Sequence, residues 1–425
     1  MHDFQYLNDE LCCEAVAVGD IARQVGTPFY LYSYNTLRNH FHIFDTAFSD
    51  VPHITCFAVK ANSNIAILRV FANEGGGVDI VSGGELYRAL QAGVDPGKIV
   101  YSGVGKRIDE IEQALDADIL MFNVESSQEM EVINECAGRK KKKAGIALRV
   151  NPDVDPETHP YISTGLKENK FGIDVDHSFE AYKRARSLSN LDIKGVSCHI
   201  GSQLTKLSPF IDALSRLKKL IRLLEGEGIH VRYLDLGGGL GITYHEETPP
   251  HPTAYAQAIM EASRDLSCTF IFEPGRVIVG NAGILVTSVL YTKENEAKKF
   301  VVVDAGMNDL MRPSLYKSYH HIQAVSRKTQ NTIVADVVGP ICESGDYLAK
   351  ERQMPAFKRG DLMAVMSAGA YGFSMSSNYN SRPRVAEVMV QGDLFNVIRQ
   401  REQYEDITRG ETIPDELRKQ KQNKL

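Results

Sequence analysis

From residue 53 onward the chain alternates between short apolar runs and longer segments whose apolar residues recur every three or four positions. The first pattern suits strands buried on both faces and the second suits amphipathic helices, so their alternation predicts parallel βα units. The runs are His53 to Val59, Val78 to Val81, Ile99 to Tyr101, Ile119 to Val124, Ile146 to Val150, Ile193 to His199, Tyr233 to Leu236 and Phe270 to Phe272. Between them the spacing predicts helices over Ile65 to Asn73, Glu85 to Ala92, Ile108 to Leu115, Glu125 to Cys136, Phe179 to Ser187, Pro209 to Leu224 and Ala254 to Leu266. Eight strands with intervening helices predict an α/β fold of the (β/α)8 TIM-type barrel class, whose active site lies at the C-terminal ends of the strands.

After residue 284 the helical period disappears. Ile284 to Tyr291, Phe300 to Val303, Thr332 to Val338, Leu362 to Met366 and Val385 to Val390 read as strands, giving a mostly antiparallel β second domain. Residues before Ser33, including Ala15 to Val18 and Phe29 to Leu31, are expected to pair with it. The expected division is a barrel over 34–283, a β domain from 1–33 and 284–400, and a polar tail over 401–425.

Polar residues close the apolar runs with regularity: Lys60, Ser82, Ser102, Asn123, Asn151, His199, Gly237 to Gly239 and Glu273. Polar strand ends are common, which accounts for the Ser and Asn and less well for the Lys, His and Glu. Lys60 stands directly after an apolar strand, where burial would lower its proton affinity and make it a Schiff-base nucleophile; the alternative is a lysine that snorkels from a strand end. Leu236-Gly237-Gly238-Gly239 turns sharply after a strand, either as a tight structural turn or as a cradle of N–H groups for a phosphate. Glu273-Pro274-Gly275-Arg276 is either a salt-bridged strand end or a carboxylate placed to keep a pyridine nitrogen protonated. His199 is a structural histidine or an aromatic partner for a planar cofactor. In the second domain Cys342 and Glu343 lie in a glycine-bounded loop; a neighbouring carboxylate does not favour a thiolate, so a neutral proton donor fits better than a nucleophile.

Composition narrows the class. The 425 residues are 43% hydrophobic, enough for two buried cores, and the net charge of −6 offers no attraction to nucleic acid or an acidic membrane. The basic run Arg139 to Lys143 reads as a solvated turn. Seven scattered cysteines lack Cys-x-x-Cys spacing, so no metal site is expected and reduced thiols in a cytoplasmic protein fit best. Met1 to Glu10 shows no basic region followed by an apolar one.

Taken in order, Phe57-Ala58-Val59-Lys60-Ala61-Asn62, His199-Ile200-Gly201-Ser202-Gln203, Asp235-Leu236-Gly237-Gly238-Gly239, Glu273-Pro274-Gly275-Arg276, Asp304 through Pro313, Cys342-Glu343-Ser344-Gly345-Asp346 and Gly369-Ala370-Tyr371-Gly372 resemble the diaminopimelate decarboxylases, members of the fold type III, alanine-racemase-like pyridoxal-phosphate enzymes. The likeness runs from about Pro28 to Arg384. It implies a carboxy-lyase that converts meso-2,6-diaminopimelate to L-lysine and carbon dioxide, the last step of lysine biosynthesis. By the same resemblance Lys60 binds pyridoxal 5'-phosphate covalently and His199 stacks on its ring. Ser202, Gly238, Gly275 and Arg276 hold its phosphate, and Glu273 faces its ring nitrogen. Arg276, Arg312 and Tyr316 are implied to bind substrate carboxylate, Glu343 the distal ammonium, and Tyr371 both cofactor and substrate. Cys342 is the implied proton donor, supplied with its loop by the partner chain of a homodimer.

Ornithine decarboxylases of the same fold share several of these motifs but typically carry Asp after the loop cysteine, where this chain has Glu343. Val277, where the family often has Ser, keeps a decarboxylase of D-lysine, D-ornithine, ornithine or arginine in play. A non-catalytic cofactor-binding regulator is opposed by intact Lys60, Cys342 and Glu343, and a racemase by Glu273.

Overall fold

The computed structural model describes residues 2–155, 170–327 and 331–418. Eight parallel strands, His53–Ala58, Gly77–Ile80, Ile99–Tyr101, Met121–Val124, Ala144–Asn151, Leu191–Ser197, Tyr233–Asp235 and Thr269–Phe272, pair in sequence order. The last returns to the first through Phe270 with His53, Ile271 with Ile54 and Phe272 with Thr55, which closes the barrel. Every expected run is one of these strands.

The seven expected helices are present as Ile65–Asn73, Gly83–Gln91, Ile108–Asp116, Ser127–Arg139, Val175–Ser187, Ser208–Gly226 and Pro252–Ala262. Several begin at a residue whose side chain accepts an otherwise orphaned N–H: Asn64 from Ala66, Ser82 from Glu85, and Ser126 from Glu129. Ser82 is therefore a helix cap, which assigns one of the strand-end polar residues to structure. The remaining place in the outer ring is filled by Tyr34–Thr46, which packs against the helices Ile65–Asn73 and Pro252–Ala262. Its buried Leu37, Phe41 and Phe44 follow helical spacing, but polar residues dilute the stripe. Phe44 and Phe48 then reach the last strand: the rings of Phe48 and Phe272 stack at 3.9 Å.

The second domain is a sheet ordered Tyr347–Pro355, Thr332–Val338, Lys299–Val303, Gly283–Glu294, Phe29–Ser33, Ala386–Gln391 and Leu394–Arg399. Leu362–Val365 adds to the long strand Gly283–Glu294, and Ile322–Ala324 pairs in turn with Leu362–Val365. Phe29–Ser33 pairs with this sheet as expected. Val16–Ala17 does not. It pairs with Glu10–Cys13, and Phe4–Leu7 completes a separate three-stranded sheet. The pairing is local: Cys13 lies opposite Val16 across a two-residue turn in which Glu14 adopts φ 52°, so Val16–Ala17 folds back on Glu10–Cys13 as a hairpin. The strand Tyr347–Pro355 was hidden by the exposed Lys350 and Glu351 in its middle. From Arg401 the chain makes two short exposed helices, Tyr404–Ile407 and Asp415–Arg418, and the end of the expected tail, 419–425, lies outside the described residues.

Phe272 is fully buried among Phe44, Phe48 and Tyr255. Phe272→Ala should therefore cost about 3–5 kcal/mol of stability, read from the urea midpoint of the cofactor-free protein. A loss below roughly 1 kcal/mol would show that this cluster does not support the barrel.

Candidate active site

The first barrel strand stops at Ala58 and the chain enters one 3-10 turn, Val59–Ala61, that sets Lys60 at the barrel mouth. The turn is tied down from both domains. Ala58 N–H donates to Pro274 O at 3.1 Å, and Ala61 O accepts from Tyr371 N–H at 2.8 Å. Asn62 Nδ2 donates to Gly369 O at 3.2 Å. Tyr371 takes a left-handed backbone, φ 55°, to make its contact.

Lys60 Nζ donates to Asp79 Oδ2 at 2.6 Å. Burial works against the ammonium, but Asp79 and then Glu273 outweigh it and push its pKa up. The expectation of a lysine that loses its proton through desolvation is therefore corrected: with no group attached, Lys60 is a held ammonium. Asp79 escaped notice because it sits inside the apolar run Val78 to Val81; an acid in the middle of a strand buried on both faces was the available signal.

Two further buried carboxylates face the same space. Asn123 Nδ2, on the fourth strand, donates to Asp235 Oδ2 at 2.7 Å and to Glu273 Oε1 at 3.3 Å, and Ser102 Oγ lies 3.5 Å from Glu273 Oε1. Burial raises Glu273 well above the carboxylate range, and the charges of Asp235 and Asp79 add to this. Burial also lifts Asp235 to about 6. Both shifts run the same way, so this buried pair is pushed toward its protonated form.

His199 closes the sixth strand and accepts from Gly238 N–H at Nδ1, 3.1 Å away, so its proton is on Nε2 and its ring is fixed. Burial, then the charges of Arg149 and Lys60, keep its pKa well below the usual value, so the ring is neutral. Gly238 cannot be larger: a Cβ would stand 2.2 Å from Glu273 O. Lys60, Ser102, Arg149, Phe171, His199 and Glu273 line a cavity of about 410 Å³. Beside it, Arg276–Val279 forms a short helix whose first N–H groups have no intrahelical acceptor.

Arg276 and Arg312 are 5% and 6% exposed, and neither is paired with a carboxylate among the described residues. Arg276 donates to Tyr244 Oη at 2.7 Å and Ser202 Oγ at 3.0 Å and lies over the Tyr371 ring at 4.9 Å, while its Nε has no partner. Arg312 stands over Tyr244 at 5.0 Å and Tyr316 at 5.7 Å. His320 Nε2 accepts from Arg312 Nε at 3.4 Å, and His320 Nδ1 contacts Met366 O at 2.9 Å. Tyr244 and His320 thus frame the arginines, and no motif pointed to either.

Cys342 and Glu343 are exposed and do not line the Lys60 cavity. Val277 does not line it either; it faces a separate groove with His2, His40 and Met366. The basic run is a solvated turn: Arg139, Lys140 and Lys142 pair with Glu112, Asp116 and Asp118.

The described residues fit a phosphorylated pyridine aldehyde. The cavity offers an amine, a neutral fixed imidazole and a carboxyl group pushed toward its protonated form, and among the described residues Asp79 Oδ1 and Asn123 Oδ1 are buried without partners. A parallel barrel with these groups at its C-terminal mouth defines a cofactor-dependent enzyme of the lysine-attached type. Residues 34–280 match the family model described as the pyridoxal-dependent decarboxylase, pyridoxal binding domain. The chain is 52% identical to the diaminopimelate decarboxylase of Vibrio cholerae over 97% of its own length and 99% of that protein. It superimposes on diaminopimelate decarboxylase from Helicobacter pylori complexed with L-lysine with a TM-score of 0.89 and 45% identity, covering 92% of this chain and 98% of that one. The corresponding enzyme from M. jannaschii, also in complex with L-lysine, gives a TM-score of 0.94 at 38% identity over 98% and 100% of the two chains. The chain belongs to the pyridoxal-dependent decarboxylase family, and its cofactor is pyridoxal phosphate.

His320 carries a pH prediction. Burial first, then the charge of Arg312, lowers its pKa to about 3, whereas an unfolded histidine titrates near about 6.5. The unfolded chain therefore binds the extra proton first, and stability present above about pH 6.5 is lost as pH falls toward 3. His320→Gln should flatten the fall in unfolding free energy between pH 6.5 and 5 by roughly 2 kcal/mol. Identical slopes in the two proteins would contradict the assignment.

Proposed function

We propose that this chain decarboxylates meso-2,6-diaminopimelate to L-lysine and carbon dioxide as a cytoplasmic homodimer with shared active sites. The substrate reading is carried by Arg276 and Arg312, two buried guanidinium groups that pair with no carboxylate among the described residues, Arg276 lying over the Tyr371 ring whose N–H ties the Lys60 turn. Buried charges need partners, and a substrate with a second amino-carboxylate end supplies an anion that ornithine or the diamine-forming substrates do not. The names of relatives at about half identity agree with this. No helix among the described residues is long and apolar enough to cross a membrane.

Pyridoxal phosphate, when bound, supplies the electron sink for the pair released as the carboxylate leaves as carbon dioxide. Lys60 is the point of attachment, and Asp79 holds its amine as an ammonium whenever that amine is free. Glu273 and Asp235 keep one proton at the cavity wall, with Glu273 assigned to the ring nitrogen. His199, locked by Gly238, presents a neutral face for stacking. Arg276, Arg312 and Tyr316 orient the substrate's distal carboxylate, and Tyr371 contacts substrate and cofactor. Ser202, Gly238, Gly275 and Arg276 form the phosphate cradle; the Gly238 N–H is already engaged by His199, so its part there is close approach of the backbone. Exposed Cys342 and Glu343 serve the site of the other subunit, with the thiol returning a proton to the α-carbon and the carboxylate receiving the distal ammonium.

The purified protein should absorb in the visible with its cofactor and release carbon dioxide from meso-diaminopimelate far faster than from L-ornithine, L-arginine or D-lysine. Turnover of one of the others with none from diaminopimelate would overturn the substrate. Lys60→Ala should lose both the absorbance and the activity; full activity in that variant would overturn the mechanism.

Shared sites make a separate prediction. Lys60→Ala and Cys342→Ala should each be nearly inactive, yet their mixture should recover about a quarter of parent activity, because random assortment makes half the dimers mixed and gives each one complete site. A mixture no more active than its parts would contradict sharing.

A further inference from the structure

The loop that carries Cys342 and Glu343 is built around one buried acid. Asp346 is 4% exposed and makes no close ion pair among the described residues, the charge of Arg382 reaching it only from a distance. Its two carboxylate oxygens work apart: Oδ2 accepts Ile341 N–H at 2.7 Å, directly before Cys342, and Oδ1 accepts Met307 N–H at 2.6 Å. Burial raises its pKa, and the two N–H bonds oppose that rise. Two glycines let the backbone approach the carboxylate closely. A Cβ on Gly339 would stand 2.5 Å from Asp346 Oδ2, and one on Gly306 would stand 3.1 Å from Oδ1.

The segment anchored at Met307 leads directly into the short helix Arg312–Tyr316, which carries Arg312 and Tyr316. That helix grips the same loop a second time, because Ser314 Oγ donates to Gly345 O at 2.6 Å. Two more bonds shape the loop itself: Asp346 N–H donates to Glu343 O at 3.0 Å, and Cys342 N–H donates to Asn380 Oδ1 at 2.7 Å. Asp346 thus fixes an exposed thiol-bearing loop to the segment that holds the substrate-facing arginine.

We infer that Asp346 is the positioning residue of the Cys342–Glu343 loop, setting the thiol for the neighbouring subunit's site while leaving its own subunit's cofactor pocket intact. The inference rests on the shared-site reading above. An asparagine in its place offers one acceptor oxygen and turns an N–H toward the second amide, so the loop loses one of its two anchors.

The test is made on the holoenzyme. Asp346→Asn should keep the cofactor absorbance of the parent and lose about 10- to 100-fold in kcat, as one buried charged acceptor is removed. Mixed with Lys60→Ala it should recover activity, and mixed with Cys342→Ala it should not, because those two defects lie on the same loop. Full activity in Asp346→Asn, or recovery with Cys342→Ala, would overturn the inference. The Lys60→Ala and Cys342→Ala mixture is the control: if that pair fails to recover, the shared site is wrong. Asp346 then still stands or falls on whether its kcat loss comes with intact absorbance. Should Asp346→Asn not fold, Ser314→Ala removes the loop's other tether and should lose about 3- to 10-fold in kcat with the same pattern of recovery. Unchanged kcat in Ser314→Ala would then overturn the positioning account.

Discussion

One ammonium faces three buried carboxylates at the mouth of the barrel. Lys60 comes from the first strand, Asp79 from the second, Asp235 from the seventh and Glu273 from the eighth, and Asn123 on the fourth strand bridges the last two. All three acids are at most 5% exposed. They cannot all be charged, since each buried ion costs several kcal/mol unless it is paired. The Lys60–Asp79 ion pair meets part of this cost, and burial and mutual repulsion push Asp235 and Glu273 toward the protonated form. The charge balance of the barrel mouth is thus set by the protein's own groups.

Holding that cluster requires both domains. The turn that bears Lys60 accepts from Tyr371 and donates to Gly369, and the helix that follows is anchored by Glu387, a fully buried acid of the sheet domain. Glu387 accepts from Asn64 Nδ2 at 2.8 Å and Tyr32 Oη at 2.9 Å and pairs with Arg399. The sheet domain therefore does more than cover the barrel. It fixes the segment immediately after the lysine and also carries Arg312, Tyr316 and Tyr371, so the placement of these side chains and the position of Lys60 depend on the same packing.

The barrel was legible because its strands are buried on both faces, which makes each an unbroken apolar run, and because the residues that end them are chemically unusual. Lys60, His199, Glu273 and the Gly237–Gly239 turn could be read in that way. What stayed hidden was polar chemistry without a position to mark it. Asp79 lies inside a run, Tyr244 follows a loop, and His320 sits in an irregular segment where a buried imidazole looks like any other histidine. The protonation of Lys60 was misread for a related reason: desolvation is visible from a strand end, but the partner that reverses it comes from a different strand. The hairpin at Glu10–Ala17 and the strand Tyr347–Pro355 were missed because a short turn and surface charges mask the alternating pattern.

The most direct test of the account is the protonation state of the carboxylate cluster. The infrared difference spectrum between the cofactor-free parent and Glu273→Gln at pH 7 should show the carbonyl stretch of a protonated carboxyl group lost in the variant, whereas the difference between parent and Glu343→Gln should show none; Asp309 and Glu85, also lifted by burial to about 7, cancel in both differences. A parent-minus-Glu273→Gln spectrum with no protonated-carboxyl band would contradict the claim that Glu273 and Asp235 hold a proton at the site.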